Sequence, residues 1–256
     1  MKHIIYILLI SVSLFSFKSF NSADVVPKTS ISETENRTKI IPISHATFVL
    51  EIKDLTIYVD PVGGLEAFKN QKEPNLILIT DIHGDHLNIE TLESVTKSHT
   101  TLMAPQAVID KLPDHLKLQT QLITNGETKT FKHITIEAIP MYNLRPEALK
   151  YHAKGRGNGY VLNNQDQRIY ISGDTEDIPE MRALKDIDIA FVCMNLPYTM
   201  PVSSAADAVL EFKPKEVIPY HYRGTDGMSD VNAFKRLVES KDNEIEVTLL
   251  DWYSKN

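Results

Sequence analysis

Cysteine occurs once in this 256-residue chain, tryptophan once, and the formal net charge of -7 reflects a shortage of lysine and arginine against aspartate and glutamate. A single cysteine excludes an internal disulfide, so the fold has to be held by its core. Cys193 lies within Ile187-Asp188-Ile189-Ala190-Phe191-Val192-Cys193-Met194, which reads as a buried strand, and a small core residue is expected there rather than a nucleophile. A chain without a basic tract is a poor partner for a phosphate backbone, which argues against nucleic acid. Beyond Phe17 no apolar run approaches the length that spans a membrane. The 42% hydrophobic and 24% charged residues match a soluble globular domain with a sizeable core.

The N-terminus departs from this average. Lys2 and His3 precede an apolar run from Ile4 to Phe17, and Lys18, Ser19, Asn21 and Ser22 restore polarity. The pattern predicts a signal peptide over residues 1–23, cut between Ser19 and Ala23, with an uncleaved anchor as the alternative. Removing its two lysines takes the net charge from -7 to -9. An exported, periplasmic protein with no stable membrane insertion after leader removal is expected. Residues 24–38 are polar, lack a period and contain Pro27, so a flexible tether is expected there and the folded domain over 39–256.

Three short strands open the domain: Ile40 to Ile43, Thr47 to Ile52 and Leu55 to Asp60, with Lys53-Asp54 as a tight turn. The apolar run Leu76-Ile77-Leu78-Ile79 then stops abruptly in Thr80-Asp81-Ile82-His83-Gly84-Asp85-His86. Asn88 can cap a helix whose Ile89, Leu92 and Val95 share one face. Strand and short helix follow at Thr101 to Leu112, with Pro105 suited to the first helical turn. Strands return between Leu122 and Pro140, and Met141 to Asn158 has no clear period. A hairpin is expected across Asn163 to Gln167. Thereafter strands at Ile187 to Met194, Glu216 to Tyr220 and Ile245 to Trp252 alternate with helices at Ser203 to Phe212 and Ser229 to Ser240. Strands followed by helices in both halves predict an α/β layered fold, an αββα sandwich of two mixed sheets flanked by helices.

Four distant places share one grammar, an apolar strand or loop ending in a ligand: Thr80 to His86, His152 before Gly159, Gly173-Asp174 and Tyr220-His221. Side chains alternate along a strand, so Asp81 and His83 point the same way, while Asp85 and His86 fall in the turn and can face a second ion. A lone His221 or a lone Gly-Asp would be an ordinary core or turn residue. Four ligand-type residues in six positions after an apolar strand rarely arise for packing, and imidazole with carboxylate suits zinc, manganese or iron. His99, His115 and His133 sit in polar surroundings and read as solvated.

These motifs, together with Ser44-His45-Ala46-Thr47-Phe48 and Val59-Asp60-Pro61, resemble the metallo-β-lactamase superfamily, from about Ile40 to Tyr222 and in the same order. Within it the chain is similar to the branch of ascorbate-6-phosphate lactonase and related metal-dependent hydrolases. The resemblance implies two divalent ions, zinc first, with manganese or iron as alternatives. It implies His83 and His152 on the first ion, Asp85, His86 and His221 on the second, and Asp174 bridging. His45 and Asp60 are expected to orient those ligands. Asn143 competes with His152 for the first ion or lines the pocket instead. The implied chemistry is hydrolysis by a metal-bound hydroxide oriented by Asp85.

The substrate expected is a small-molecule ester, a lactone first. A small or lipid phosphodiester is the alternative, and a non-catalytic metal or ligand binder the rival from another class. Lys154, Arg156 and Arg223 flank ligands and suit an anionic substrate, and Tyr198 and Tyr222 are candidates for the pocket wall. One residue departs from the family pattern: Asp81 stands where relatives have His. Counting two divalent ions, three carboxylates and a hydroxide, the charges cancel to zero instead of leaving +1. That predicts a harder site, favouring manganese, iron or oxygen-tolerant zinc and less able to acidify water.

Overall fold

The computed structural model describes residues 38–253. The expected leader over 1–23 and all but the last residue of the expected tether lie outside the described residues. Among the described residues no helix is long and apolar enough to cross a membrane.

A first sheet has the order β1 (Lys39–Ser44), β2 (Thr47–Ile52), β3 (Leu55–Val59), β4 (Leu76–Leu78), β5 (Thr101–Ala104) and β6 (Thr120–Leu122). Its first two pairings are antiparallel and the remaining three parallel. Between these strands lie α1 (Ile89–Val95), α2 (Gln106–Ile109) and α3 (Asp114–Lys117). Asn88 caps α1 by accepting from the Thr91 amide at 2.8 Å. Pro105 occupies the N-cap position of α2 instead of its first turn.

The second sheet repeats the plan. It holds β7 (Thr128–Phe131), β8 (Ile134–Met141), β9 (Gly157–Asn163), β10 (Arg168–Ile171), β11 (Ile189–Cys193) and β12 (Glu216–Tyr220). A small hairpin follows from β13 (Arg223–Gly224) and β14 (Gly227–Met228), and β15 (Glu246–Val247) adds to β12. Pairings from β7 to β10 are antiparallel, and those from β10 through β11 and β12 to β15 parallel. Helices α4 (Pro179–Arg182), α5 (Val202–Phe212) and α6 (Val231–Glu239) belong to this half. Two mixed sheets flanked by helices are the architecture expected from the sequence.

Side-chain alternation builds the layers. Phe48, Leu50, Leu76 and Leu78 face the core shared with the second sheet, while Val49, Ile77 and Ile79 face the helix side with Leu92, Val95 and Val108. Between the sheets the Phe48 and Phe191 rings stack with centroids 4.5 Å apart. Cys193 is fully buried in β11 and burial pushes its thiol up to about 12, as befits a core residue.

One expectation needs correction. The strand over Ile245 to Trp252 shrinks to the two residues of β15. The chain leaves the sheet edge so that Trp252 can be buried edge-on against Phe48 and Phe191, and its carbonyl accepts from the His45 amide at 3.4 Å. Burying one large indole outweighs extending an edge ladder.

Candidate metal centre

The parallel strands β3, β4, β10, β11 and β12 release their chains at one edge of the sandwich, the position where open α/β sheets hold ligands. Asp60 follows β3, Asp81 to His86 follow β4, Asp174 follows β10 and His221 follows β12. His45, Asp60 and His221 all adopt left-handed backbone, with φ of 58°, 43° and 45°. Such conformations cost non-glycine residues roughly 1–3 kcal/mol and persist where surrounding structure enforces them. Here the His221 amide donates to the His45 carbonyl at 3.3 Å, tying two of these turns together.

Asp174 is the centre of the arrangement. Its Oδ2 lies 3.2 Å from His152 Nε2 and 3.3 Å from His86 Nε2, and its Oδ1 lies 3.2 Å from His221 Nε2. One group around it is His86, Asp174 and His221; another is Asp81, His83 and His152; a third joins His45, Asp85 and His221. Asp81 Oδ2 lies 2.8 Å from His83 Nδ1 and 4.0 Å from His152 Nε2. Asp85 Oδ2 lies 3.4 Å from His221 Nε2 and 3.3 Å from His45 Nε2.

The donor set fits metal ions. Asp174 Oδ1 and His152 Nε2 are buried without a hydrogen-bond partner among the described residues, although each has an opposite group within about 3 Å. Close approach without alignment is the geometry of lone pairs aimed at a common point. His86 Nε2 and His221 Nε2 are 3.1 Å apart, and two imidazoles can converge so closely only by sharing a proton or a cation. Asp81, His83, His152 and Asp174 would hold one ion, and Asp85, His86, His221 and Asp174 the other.

The supporting groups fix these ligands. Asp60 is fully buried and accepts from the Thr80 amide at 2.7 Å, the Thr80 hydroxyl at 2.6 Å and His86 Nδ1 at 2.8 Å. That leaves His86 Nε2 to face Asp174. Burial disfavours a charged His86, but the carboxylates of Asp174 and Asp60 outweigh it and hold its pKa well above 6.5. Burial likewise opposes ionisation of Asp174, and His221 and His86 outweigh it, holding the carboxyl well below 3.8. For Asp85, burial is overcome by hydrogen bonds from His221 and His45, so its carboxyl also falls far below the ordinary range.

Sequence reasoning missed Tyr253. Its hydroxyl lies 2.8 Å from His45 Nδ1 and accepts from the Tyr222 and Arg223 amides at 3.0 and 3.1 Å. With two donors on the oxygen, the hydroxyl proton goes to Nδ1, so the neutral ring carries its proton on Nε2, toward Asp85. Burial lowers the pKa of His45 despite Asp85, which keeps the ring neutral. An aromatic residue close to the C-terminus carries no sequence signal for such a role.

Of the expected substrate contacts, two line cavities. A cavity of about 360 Å³ is bounded by His45, Val62, Gly84, Asp85 and Arg223, and one of about 280 Å³ by His83, Asp85, Tyr151, His152, Asn195 and Tyr198. Asp85 belongs to both linings. The other four are placed elsewhere. Asn143 is buried and donates to the Ala148 and Tyr198 carbonyls at 2.9 and 2.6 Å, bracing the loop behind His152. His152, not Asn143, reaches Asp174. Lys154 pairs with Glu180 at 2.9 Å and lies over the Tyr142 ring. Tyr222 packs on Tyr253, with ring centroids 4.8 Å apart.

Arg156 is bound to Asp81. Its Nε donates to Oδ1 at 3.1 Å and its Nη2 to Oδ2 at 2.9 Å. The charge count that gave zero omitted this guanidinium, and with it the site returns to +1.

Fold and ligand set together define a metal-dependent hydrolase. A family profile described as beta-lactamase superfamily domain matches residues 39–221, and the chain belongs to that superfamily. A metal-dependent hydrolase from Pyrococcus horikoshii is 30% identical over 214 residues, covering 79% of this chain and 93% of the relative. One from Thermoplasma acidophilum is 31% identical over 212 residues, covering 78% and 90%. A crystal structure from Parabacteroides distasonis, named for metal-dependent hydrolysis, is 40% identical with a TM-score of 0.74, covering 83% of this chain and 92% of the other. The fold is also that of a diiron beta-hydroxylase from Streptomyces venezuelae, 17% identical, with a TM-score of 0.64 and coverage of 84% and 53%. Fold alone therefore does not fix the reaction.

Proposed function

We propose that this chain is a two-ion hydrolase of a small anionic cyclic ester, a lactone in the first instance. The observation that carries this reading is Asp174, whose Oδ2 lies 3.2 Å from His152 and 3.3 Å from His86, one histidine of each ligand group, while its Oδ1 lies 3.2 Å from His221. Zinc suits three or four imidazole and carboxylate donors per ion, and manganese or iron suits the two carboxylates that each ligand set contains. Divalent ions there supply Lewis-acid polarisation of the ester carbonyl and acidification of a water.

The residues of the chain do the rest. Asp85 is ionised throughout the neutral range and stands between the two cavities, so it accepts a hydrogen bond from the attacking water and orients it. His45 holds Asp85 in place through Nε2, with Tyr253 fixing the tautomer. Arg223 has no carboxylate partner among the described residues and lines the cavity beside Asp85. An unpaired guanidinium there suits a carboxylate or phosphate remote from the scissile bond. Tyr151 and Tyr198 wall the second cavity, which takes the ring or leaving group. The apolar run from Ile4 to Phe17 behind Lys2, followed by polar residues, supports a leader over residues 1–23 and an exported, periplasmic setting.

The test is metal analysis of the purified protein followed by hydrolysis assays on lactones and on bis-ester phosphates. Metal-dependent turnover of lactones carrying an anionic group, lost in Asp85→Asn, is expected. Turnover confined to phosphodiesters would transfer the same site to phosphodiesterase chemistry. Metal uptake without turnover on either set would favour a binding protein.

A further inference from the structure

The starting observation is the bidentate pair of Arg156 with Asp81. Asp81 is fully buried, and Arg156 is largely so, with 18% of its side chain exposed. Ion pairs on open surfaces contribute little, but this one is enclosed and double-pronged, the geometry in which a guanidinium holds a carboxylate most specifically. A third contact, from Nη2 to the Tyr151 carbonyl, holds the fork from behind.

The backbone around the pair is built for this approach. The Asn158 amide donates to the Thr80 carbonyl at 2.9 Å, and the Tyr160 hydroxyl to the Ile79 carbonyl at 2.7 Å. The start of β9 thus lies directly on the end of β4. A Cβ on Gly157 would stand 2.8 Å from the Thr80 carbonyl oxygen, so only glycine allows the contact that brings Arg156 to Asp81.

Charge explains what the pair accomplishes. Asp81, Asp85 and Asp174 together bring three negative charges to the ligand set, one more than a set with His at position 81. Arg156 cancels that extra charge at its source. Its fork engages both carboxylate oxygens, Oδ1 through Nε and Oδ2 through Nη2, and Oδ2 also faces His83 Nδ1 at 2.8 Å. We propose that Asp81 and Arg156 act as one charge-compensated ligand unit that replaces an imidazole at the first-ion position, with Arg156 as the positioning residue. This rests on the two-ion reading. The unit presents an oxygen in place of a ring nitrogen while leaving the total charge of the site unchanged, so its effect is on metal preference rather than on electrostatic strength.

The experiment is a double-mutant cycle on the full chain, with Co(II) affinity measured by chelator competition and the Co(II) absorption spectrum as second readout. The variants are Asp81→His, Arg156→Met, the pair combined, and Arg156→Lys. Each single change is expected to weaken Co(II) binding roughly ten- to a hundredfold, the range for lost supporting contacts to a metal ligand. The Arg156→Met spectrum is expected to change as the freed carboxylate reorients, and Arg156→Lys is expected to recover affinity but not the spectrum. The double variant is expected to return to within about threefold of the parent, because charge is restored. Losses that multiply in the double variant would overturn the unit. Circular dichroism of each metal-free variant identifies one that has not folded; if Arg156→Met has not, a parental spectrum in Arg156→Lys overturns the positioning role. A parent chain that binds no Co(II) would overturn the two-ion reading itself.

Discussion

The hydroxyl of Tyr253 lies 2.8 Å from Nδ1 of His45, 208 residues away in sequence, so the end of the chain sets the tautomer of a histidine beside the metal centre. Replacing Tyr253 with Phe removes that donor and leaves the Tyr222 and Arg223 amides without their acceptor. The expected cost is about 1–3 kcal/mol in stability, the usual penalty for unsatisfied groups in a partly buried network. His45 can then also present the wrong nitrogen to Asp85, so kcat is expected to fall more than KM rises. Thermal denaturation and steady-state kinetics check the two effects separately.

The Asp60 carboxylate accepts three hydrogen bonds and donates none. An asparagine there would turn an amide N–H toward at least one of the three donors, from Thr80 or His86. His86 would lose the partner that fixes its ring, and metal affinity is expected to drop roughly ten- to a hundredfold. Chelator competition measures this. Gain of affinity would show that Asp60 does not orient His86.

The elements that sequence patterns revealed were those governed by local rules. Glu216 to Tyr220 carries an apolar run behind its leading carboxylate and forms β12 with the limits expected, and Asn88 caps α1 as its side chain and position require. The ligands at strand ends were readable because a carboxylate or imidazole after an apolar strand has few packing uses. Arg156 and Lys154 were not separable, since both are cations in one loop. What divides them is contact across 75 residues with Asp81 for one and across 26 with Glu180 for the other. Tyr253 was invisible for the same reason. The overlong strand at Ile245 to Trp252 shows the converse, an alternating pattern overridden by burial of a single indole.

Metal loading is expected to couple to pH through His86. In the metal-free protein, burial of His86 is outweighed by Asp174 and Asp60, so its folded pKa stands well above 6.5. Protonated His86 thus stabilises the metal-free fold fully below about pH 6.5, and that contribution is lost as pH rises through the folded value. Asp174 has the opposite sign, stabilising above 3.8 and losing its contribution as pH falls through its lowered folded value. A metal ion must displace the His86 proton, so the stabilisation it confers should grow with pH. Melting temperatures with and without metal, taken from about pH 6 to about pH 8, should therefore diverge. Calorimetry in buffers of different ionisation enthalpy should show proton release on loading, reduced in His86→Gln.

Arg223 offers the sharpest separation between substrate binding and chemistry. Its guanidinium stands 5.1 Å from the Tyr253 ring centroid, lines the cavity that contains Asp85, and is not spent on any carboxylate among the described residues. A hydrogen bond to a charged group contributes about 1.5–3 kcal/mol, so Arg223→Ala should raise KM for an anionic lactone by roughly ten- to a hundredfold. Because the contact is remote from the scissile bond, it is made equally in the ground and transition states, and kcat should change little. A neutral lactone of the same ring should be hydrolysed by parent and variant with similar KM. An equal loss on both substrates would assign Arg223 to the structure of the Tyr253 contact instead of to the anionic group, and an unchanged KM on both would remove it from the binding site.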